Sequence, residues 1–152
     1  MLGFLQKMRA GGENALSQLK DKNLFRGAAA ACAIVGGIDN DWDDQEQEET
    51  YTALDSHTAL QAFKGQAAAV IDEFAPLAVK FGGRKQLFGM LEKIAGHEQA
   101  ETIAYIAIDV AMASDGLSQK EYDAIVKIAK ALGVHSSMAS DLADLAEEIE
   151  DE

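Results

Sequence analysis

The sequence predicts an all-α fold, a compact bundle of about seven to eight helices built on two pseudo-symmetric helix–acidic turn–helix units. Three observations carry that expectation. Apolar residues recur at three- and four-residue spacing along most of the chain, the period of one helix face. The residues between them are rich in Ala, Leu, Gln, Glu and Lys, which lose little on entering a helix, and alternating β-branched runs are scarce. One layout, an apolar helix followed by an acidic turn and a second helix, occurs twice. With 152 residues, 48% of them hydrophobic, the chain can bury roughly two-thirds of its unfolded surface in a single core. The expected organisation is a basic amphipathic arm over 1–23, a helical domain over 24–149 and an acidic tail over 150–152.

Taken in order, Leu2, Leu5 and Met8, then Leu16 and Leu19, form two short amphipathic stripes that Gly11-Gly12 breaks or bends. Phe25 to Gly36 reads as a helix of small residues, with Ala28 to Ala31 allowing close packing and Gly36-Gly37 ending it. An acidic loop follows, from which Asp43 or Asp44 caps a helix running to about Leu54. Ser56 is the expected N-cap of the next stretch, which sets Leu60, Phe63, Ala67, Val70, Ile71 and Phe74 on one face. Pro76 should start or kink a helix and Gly82-Gly83 should end it, so two helices and one bent helix both fit. Leu87, Met90, Leu91 and Ile94 mark another helix, closed by Gly96. From Glu98 the run Ile103, Ile106, Ala107, Val110 and Ala113 predicts a buried helix, ended by Ser114-Asp115-Gly116. Ser118 with Glu121 has the spacing of a capping box, opening a helix through Leu132 that Gly133 stops. A last helix is expected from about Ser136 to Ile149, carrying Met138, Leu142 and Leu145.

Charge is unevenly spread. The 13 Lys and Arg against 26 Asp and Glu give a formal charge of −13. Seven of the acids lie between Asp39 and Glu49 and seven more between Asp141 and Glu152, whereas Lys7, Arg9, Lys20, Lys22 and Arg26 make the first 27 residues locally basic. So acidic a surface repels phosphates, which argues against nucleic-acid binding. One cysteine, Cys32, permits no internal disulfide, and the start of the chain lacks the pattern of a secretory signal, so a cytoplasmic setting is expected. The longest weakly polar stretch, Gly27 to Ile38, is too short to span a bilayer.

The repeat pairs Cys32 to Glu46 with Ala107 to Glu121. Each holds an apolar helix, an acidic turn with one hydrophobic residue (Trp42, Leu117), a capping residue (Asp43, Ser118) and a Glu three positions later. The hydrophobic residue anchors the turn on the core while neighbouring carboxylates project outward. The register is open by one residue, since either Asp39 or Asn40 can match Asp115.

At these residues the chain resembles the tellurite-resistance TerB family. Ala113-Ser114-Asp115-Gly116-Leu117-Ser118 through Glu121, continuing into Ile128 to Gly133, is similar to its recurring apolar helix, Ser-Asp-Gly turn and following Glu; Asp39 to Glu46 looks like a longer, acid-rich version of the same turn. The arm leading into Phe25-Arg26-Gly27 and Cys32-Ala33 extends the resemblance over most of the chain. It implies an all-helical fold, an acidic metal-binding face and a place in a tellurite-resistance assembly beside membrane-embedded and cytoplasmic partners.

Carboxylate-rich turns are hard-oxygen sites suited to Ca²⁺, Mg²⁺ or Mn²⁺, with calcium the first expectation. Asp39, Asp41 and Asp43 have the spacing with which an EF-hand loop begins, but its sixth position is Asp44 and its twelfth Thr50, so a true EF-hand is rejected. The arrangement favoured instead pools both turns: Asp39, Asp41, Asp43, Asp44 and Glu46 from the first, Asp115 and Glu121 from the second. The same acids also suit a purely local role, capping backbone N–H groups at helix starts. Asp109, set among Ile106, Ala107, Ile108 and Val110, fits either a supporting role at that site or a solvent-facing position. His57, His97 and His135 stand apart, which argues against zinc, and Cys32 reads as a buried small residue. No nucleophile elbow, phosphate loop or Cys–His pair identifies an enzyme. Two functions lead from the sequence: a non-catalytic, divalent-metal-binding stress-response protein whose basic residues 2–26 touch a membrane or a partner, and a metal-independent helical scaffold or adaptor; a phosphohydrolase-like metal enzyme is a weaker third.

Overall fold

The computed structural model describes residues 18–113 and 116–149, and within them the chain forms seven α-helices and one 3-10 helix. Helix α1, Lys22–Gly36, is the centre of the bundle. Asp21 caps it, its carboxylate accepting the Asn23 N–H at 2.7 Å, and from Leu24 onward almost every side chain is apolar or small. Ala28 to Ala31 are fully buried, so neighbouring helices approach the α1 backbone closely. Helix α2 spans Asp44–Ser56, the 3-10 helix Thr58–Phe63, α3 Ala67–Ala78, α4 Phe81–Lys93, α5 Ala100–Met112, α6 Gln119–Ala131 and α7 Ala139–Ala146. Helices α2 to α6 all touch α1, and α5, buried from Thr102 through Ile108, packs on it most extensively. A helix apolar on nearly all sides belongs inside such a bundle. Phe25 stacks on Phe63 at 4.6 Å, and Arg26 forms a two-pronged pair with Glu73 at 3.0 and 2.8 Å while lying over the Phe74 ring. The Tyr105 hydroxyl donates to Asp141 and the Tyr122 hydroxyl to Leu142 O, fastening α7 to α5 and α6.

Three local expectations are corrected. Ser56 does not start a helix: α2 runs on to it, and the buried His57 caps the 3-10 helix by accepting the Ala59 N–H on Nδ1 at 3.0 Å. The apolar face predicted from Leu60 to Phe74 is real but broken at Gly65, whose φ of 87° turns the chain before α3. Second, Gly82 and Gly83 lie in the first turn of α4 rather than ending a segment, and Pro76 sits inside α3. A Cβ on Gly83 would stand 2.3 Å from Leu77 O, so the glycine marks a close crossing of α4 over the end of α3. Third, the last helix is shorter than expected; the chain turns after Ala146 and Ile149 forms a parallel bridge with Leu117, returning to the second acidic turn.

At the other end, Leu19 is buried, its N–H donates to Ala59 O at 2.9 Å, and Gln99 Nε2 donates to Gln18 O at 2.9 Å. The stripe Leu2, Leu5, Met8 and Leu16, the Gly11-Gly12 break and the tail at 150–152 lie outside the described residues.

Candidate functional site

The two acidic turns are built alike. After α1 the C-cap Gly37 donates to Ala33 O at 2.9 Å; after α5 the C-cap Ala113 donates to Asp109 O at 3.1 Å. Three residues past each cap the backbone enters positive φ, 64° at Asn40 and 119° at Gly116. That settles the open register. Asp39-Asn40 corresponds to Asp115-Gly116, with Asn40 taking the glycine's place, since Asn tolerates the left-handed region better than most residues. Five residues separate Gly37 from the N-cap Asp43 and four separate Ala113 from the N-cap Ser118, so Asp41 is the extra residue of the first turn.

Trp42 and Leu117 are both buried, as anchors should be. Beyond them two complete capping boxes open α2 and α6. Asp43 Oδ1 accepts the Glu46 N–H at 2.8 Å and Glu46 Oε1 accepts the Asp43 N–H at 3.0 Å; Ser118 Oγ accepts the Glu121 N–H at 3.1 Å and Glu121 Oε1 accepts the Ser118 N–H at 2.9 Å. The first turn has a further brace. Arg84 Nη1, from the first turn of α4, donates to Asn40 Oδ1 at 2.9 Å, Gly37 O at 3.2 Å and Ala78 O at 2.7 Å.

Between the turns lies an open cleft of about 1100 Å³. Its apolar surface comes from Cys32, Val35, Trp42, Val110 and Leu117, and its carboxylates include Asp39, Asp43, Glu46 and Glu121. Of the other candidates, Asp41 and Asp44 are exposed and not among its described lining residues, and Asp115 lies outside the described residues. Glu48 and Glu49, not among the sequence candidates, line it as well. Helical spacing from Glu46 could have found Glu49, because Gln45, Glu46, Glu49, Thr50 and Ala53 share one face of α2.

Electrostatics ties the turns together. Burial pushes the Glu121 carboxyl above the usual range, the Ser118 hydrogen bonds pull the other way, and the charges of Asp39 and Glu46 push it up further. Those two acids belong to the first unit, some 75 positions away in sequence, so they face Glu121 across the cleft. Among the described residues, however, no three His, Cys, Asp or Glu side chains are gathered closely enough to hold a metal ion as they stand.

Deeper in the bundle, His57 and Asp109 form a pair that sequence reasoning missed. His57 Nε2 lies 2.9 Å from Asp109 Oδ2, without hydrogen-bond alignment. Asp109 therefore faces a buried histidine, not only solvent. Cys32, buried beside them, has its thiol pushed far up by burial and then by the Asp109 charge, which leaves it inert.

A family model described as tellurite resistance protein TerB matches residues 26–144. The chain belongs to the TerB family. The matched span starts inside α1, ends inside α7 and includes both acidic turns of this TerB protein. Membership associates it with tellurite resistance. Comparison with curated proteins and with solved structures found no match. No described helix of the TerB bundle is long and apolar enough to cross a membrane.

Proposed function

We propose that this TerB protein is a non-catalytic component of a tellurite-resistance stress response that binds a divalent cation, calcium first among them, at the acidic cleft. The observation that carries this reading is that Asp39, Asp43, Glu46 and Glu121, drawn from both turns, line one cleft, where burial first and then the neighbouring charges of Asp39 and Glu46 push the Glu121 carboxyl up. Like charges placed face to face repel, and a cation between them removes that penalty. The donor chemistry fits: oxygen ligands from Asp39, Asp43, Glu46 and Glu121 suit Ca²⁺, Mg²⁺ or Mn²⁺ and not the softer metals. Asp115, paired with Asp39 by the register of the turns, joins them, and Asp41 and Asp44 add to the local field. Because the described carboxylates are not yet gathered, binding would draw the turns together. The protein would thereby stiffen the face it presents to partners of a membrane-linked assembly; of the basic segment 2–26, only the part before the buried Leu19 is left as a peripheral membrane contact, because Leu24 and Phe25 are core residues and Arg26 is paired with Glu73.

Titration calorimetry of metal-stripped protein with Ca²⁺, Mg²⁺, Mn²⁺ and Zn²⁺ tests the reading. Calcium should bind below millimolar, and Asp39→Asn and Glu121→Gln should each weaken it about tenfold or more. A cation at a hundred times its dissociation constant would add about 2.7 kcal/mol of stability. Absent heats, or equal heats in both variants, would sink the idea. A second reading, a metal-independent scaffold in the same assembly, is favoured by one observation: the cleft is far larger than a cation needs.

A further inference from the structure

The size and lining of the cleft leave room for an occupant besides an ion. About 1100 Å³ exceeds the volume of most small-molecule sites, and this cleft sets carboxylates at Asp39, Asp43, Glu46, Glu48, Glu49 and Glu121 around a smaller apolar strip formed by Val110 and the edges of the otherwise buried Val35 and Trp42. No Lys, Arg or His lines it among the described residues. Its complement is a short segment with one apolar face and positive charge. The chain carries such a segment in residues 1–10, where Leu2, Leu5 and Met8 make an apolar stripe, Lys7 and Arg9 supply the charge, and no acid intervenes.

We propose that the cleft is the docking groove for the chain's own residues 1–10, with the apolar stripe on Trp42, Val35 and Val110 and with Lys7 and Arg9 on the carboxylates of α2. The dimensions agree. The groove follows α2 from Asp43 to Ala53, about 15 Å at the helical rise, and ten residues of helix measure about 15 Å. The segment rejoins the bundle near its far end: Leu19 N is bonded to Ala59 O, and Gln18 Nε2 donates to Thr58 O, five residues beyond Ala53 and so within about 17 Å of it. Residues 11–17 span up to about 23 Å when extended, enough to join the two. Docked there, the arm shields the like charges of the two turns with its own cations.

Two measurements on the metal-stripped full chain test this, and neither depends on cation binding, so its failure is distinguishable from failure of the cation reading. Zero-length carbodiimide cross-linking followed by mass spectrometry should join Lys7 to Glu46, Glu48 or Glu49 within single chains. Links found only between two chains would overturn the proposal in favour of a second copy, and no links would overturn it outright. Trp42 is the one tryptophan of the chain and lines the cleft, so its quenching by acrylamide reports occupancy. In the Leu5→Glu/Lys7→Glu double variant the Stern–Volmer constant should rise at least twofold with unchanged helical circular dichroism, and an unchanged constant refutes docking. Should that variant fold poorly, the parent chain in 1 M salt, where charge attraction reaches only about 3 Å, must show a rise in the same direction.

Discussion

A methyl group added at Gly36 tests the architecture of the cleft directly. Gly36 is the last residue of α1, and a Cβ built on it would stand 2.5 Å from Trp42 Cε2, 2.6 Å from Cζ2 and 2.8 Å from Nε1. These are three atoms of one rigid bicyclic ring, not the tip of a flexible chain, so the whole indole must shift or the end of α1 must. Overpacking of this kind costs about 1–3 kcal/mol, and the stiffness of the ring argues for the upper end. Replacing glycine in a helix returns up to ~1 kcal/mol of backbone entropy. The net expectation for Gly36→Ala is a loss of about 2 kcal/mol, or roughly 4–8 °C in melting temperature for a chain of this length. Gly89→Ala is the matched control. It lies within α4 with nothing within 4 Å of its ideal Cβ, so only the entropic gain applies and stability should rise by about 0.5–1 kcal/mol. Thermal melts followed by circular dichroism give both signs, and Trp42 emission should shift to longer wavelength in Gly36→Ala alone. A Gly36→Ala protein as stable as its parent with unshifted emission would refute the seating of Trp42 against α1.

Glu121→Gln keeps the capping box, because a Gln amide oxygen serves at that position, but removes the charge. The folded-state pKa of Glu121 is raised above 4.5, so its stabilising contribution is present below about pH 4.5 and is lost as pH rises through the raised value. Cation-free Glu121→Gln should therefore match the parent at pH 4 and exceed it at pH 7 by about 0.5 kcal/mol or less, since the side chain is only half-buried; denaturant melts at the two pH values check this. Arg84→Ala removes the donor that holds Gly37, Asn40 and Ala78 together. It should cost about 2 kcal/mol and speed amide hydrogen exchange across residues 38–41 more than elsewhere. Cys32 should resist a disulfide reagent in the native protein and react only at the rate of unfolding, a prediction that stopped-flow labelling across a denaturant series decides.

Local chemistry was legible in the sequence and long-range pairing was not. The stripes of α5 and α6, the Ser118–Glu121 box and the stop at Gly133 are each written within a few residues of one another, and the structure places them as expected. That Asp39, Asp43 and Glu46 share a cleft with Glu121 was legible only through the repeated layout, while Asp41 and Asp44, expected beside them, are not among its described lining. The one-residue ambiguity needed the backbone angles at Asn40 and Gly116. His57, Arg84 and Gly83 show where the sequence runs out. Each owes its role to a partner elsewhere in the fold: Asp109 is 52 positions away, Asn40 is 44, and the Leu77 backbone blocks any side chain at Gly83. Ser56 misled for a related reason. A serine before an apolar run has the look of an N-cap, yet its hydroxyl bonds back to Thr52 O, and His57, a less usual cap, took the position.

The capping and cleft-lining roles of the acids are not rivals, and this decides which variants discriminate. Glu46 and Glu121 each commit one carboxylate oxygen, Oε1, to the capping box, and Asp43 commits Oδ1, so each group keeps a second oxygen that the box does not use. A truncation such as Asp43→Ala would remove the cap and the charge together, costing about 1 kcal/mol of helix stability whether or not anything binds. Asp43→Asn keeps the cap, Glu46→Gln and Glu121→Gln keep their boxes, and Asp39→Asn touches no cap at all. The isosteric amides strip charge from the cleft while the turns stay folded, so a ligand affinity that falls in all four measures the shared field of the two turns. If the fall in Glu121→Gln were absent while Asp39→Asn and Glu46→Gln retained it, binding would belong to the first turn alone, and the facing of the two units across the cleft would have no part in it.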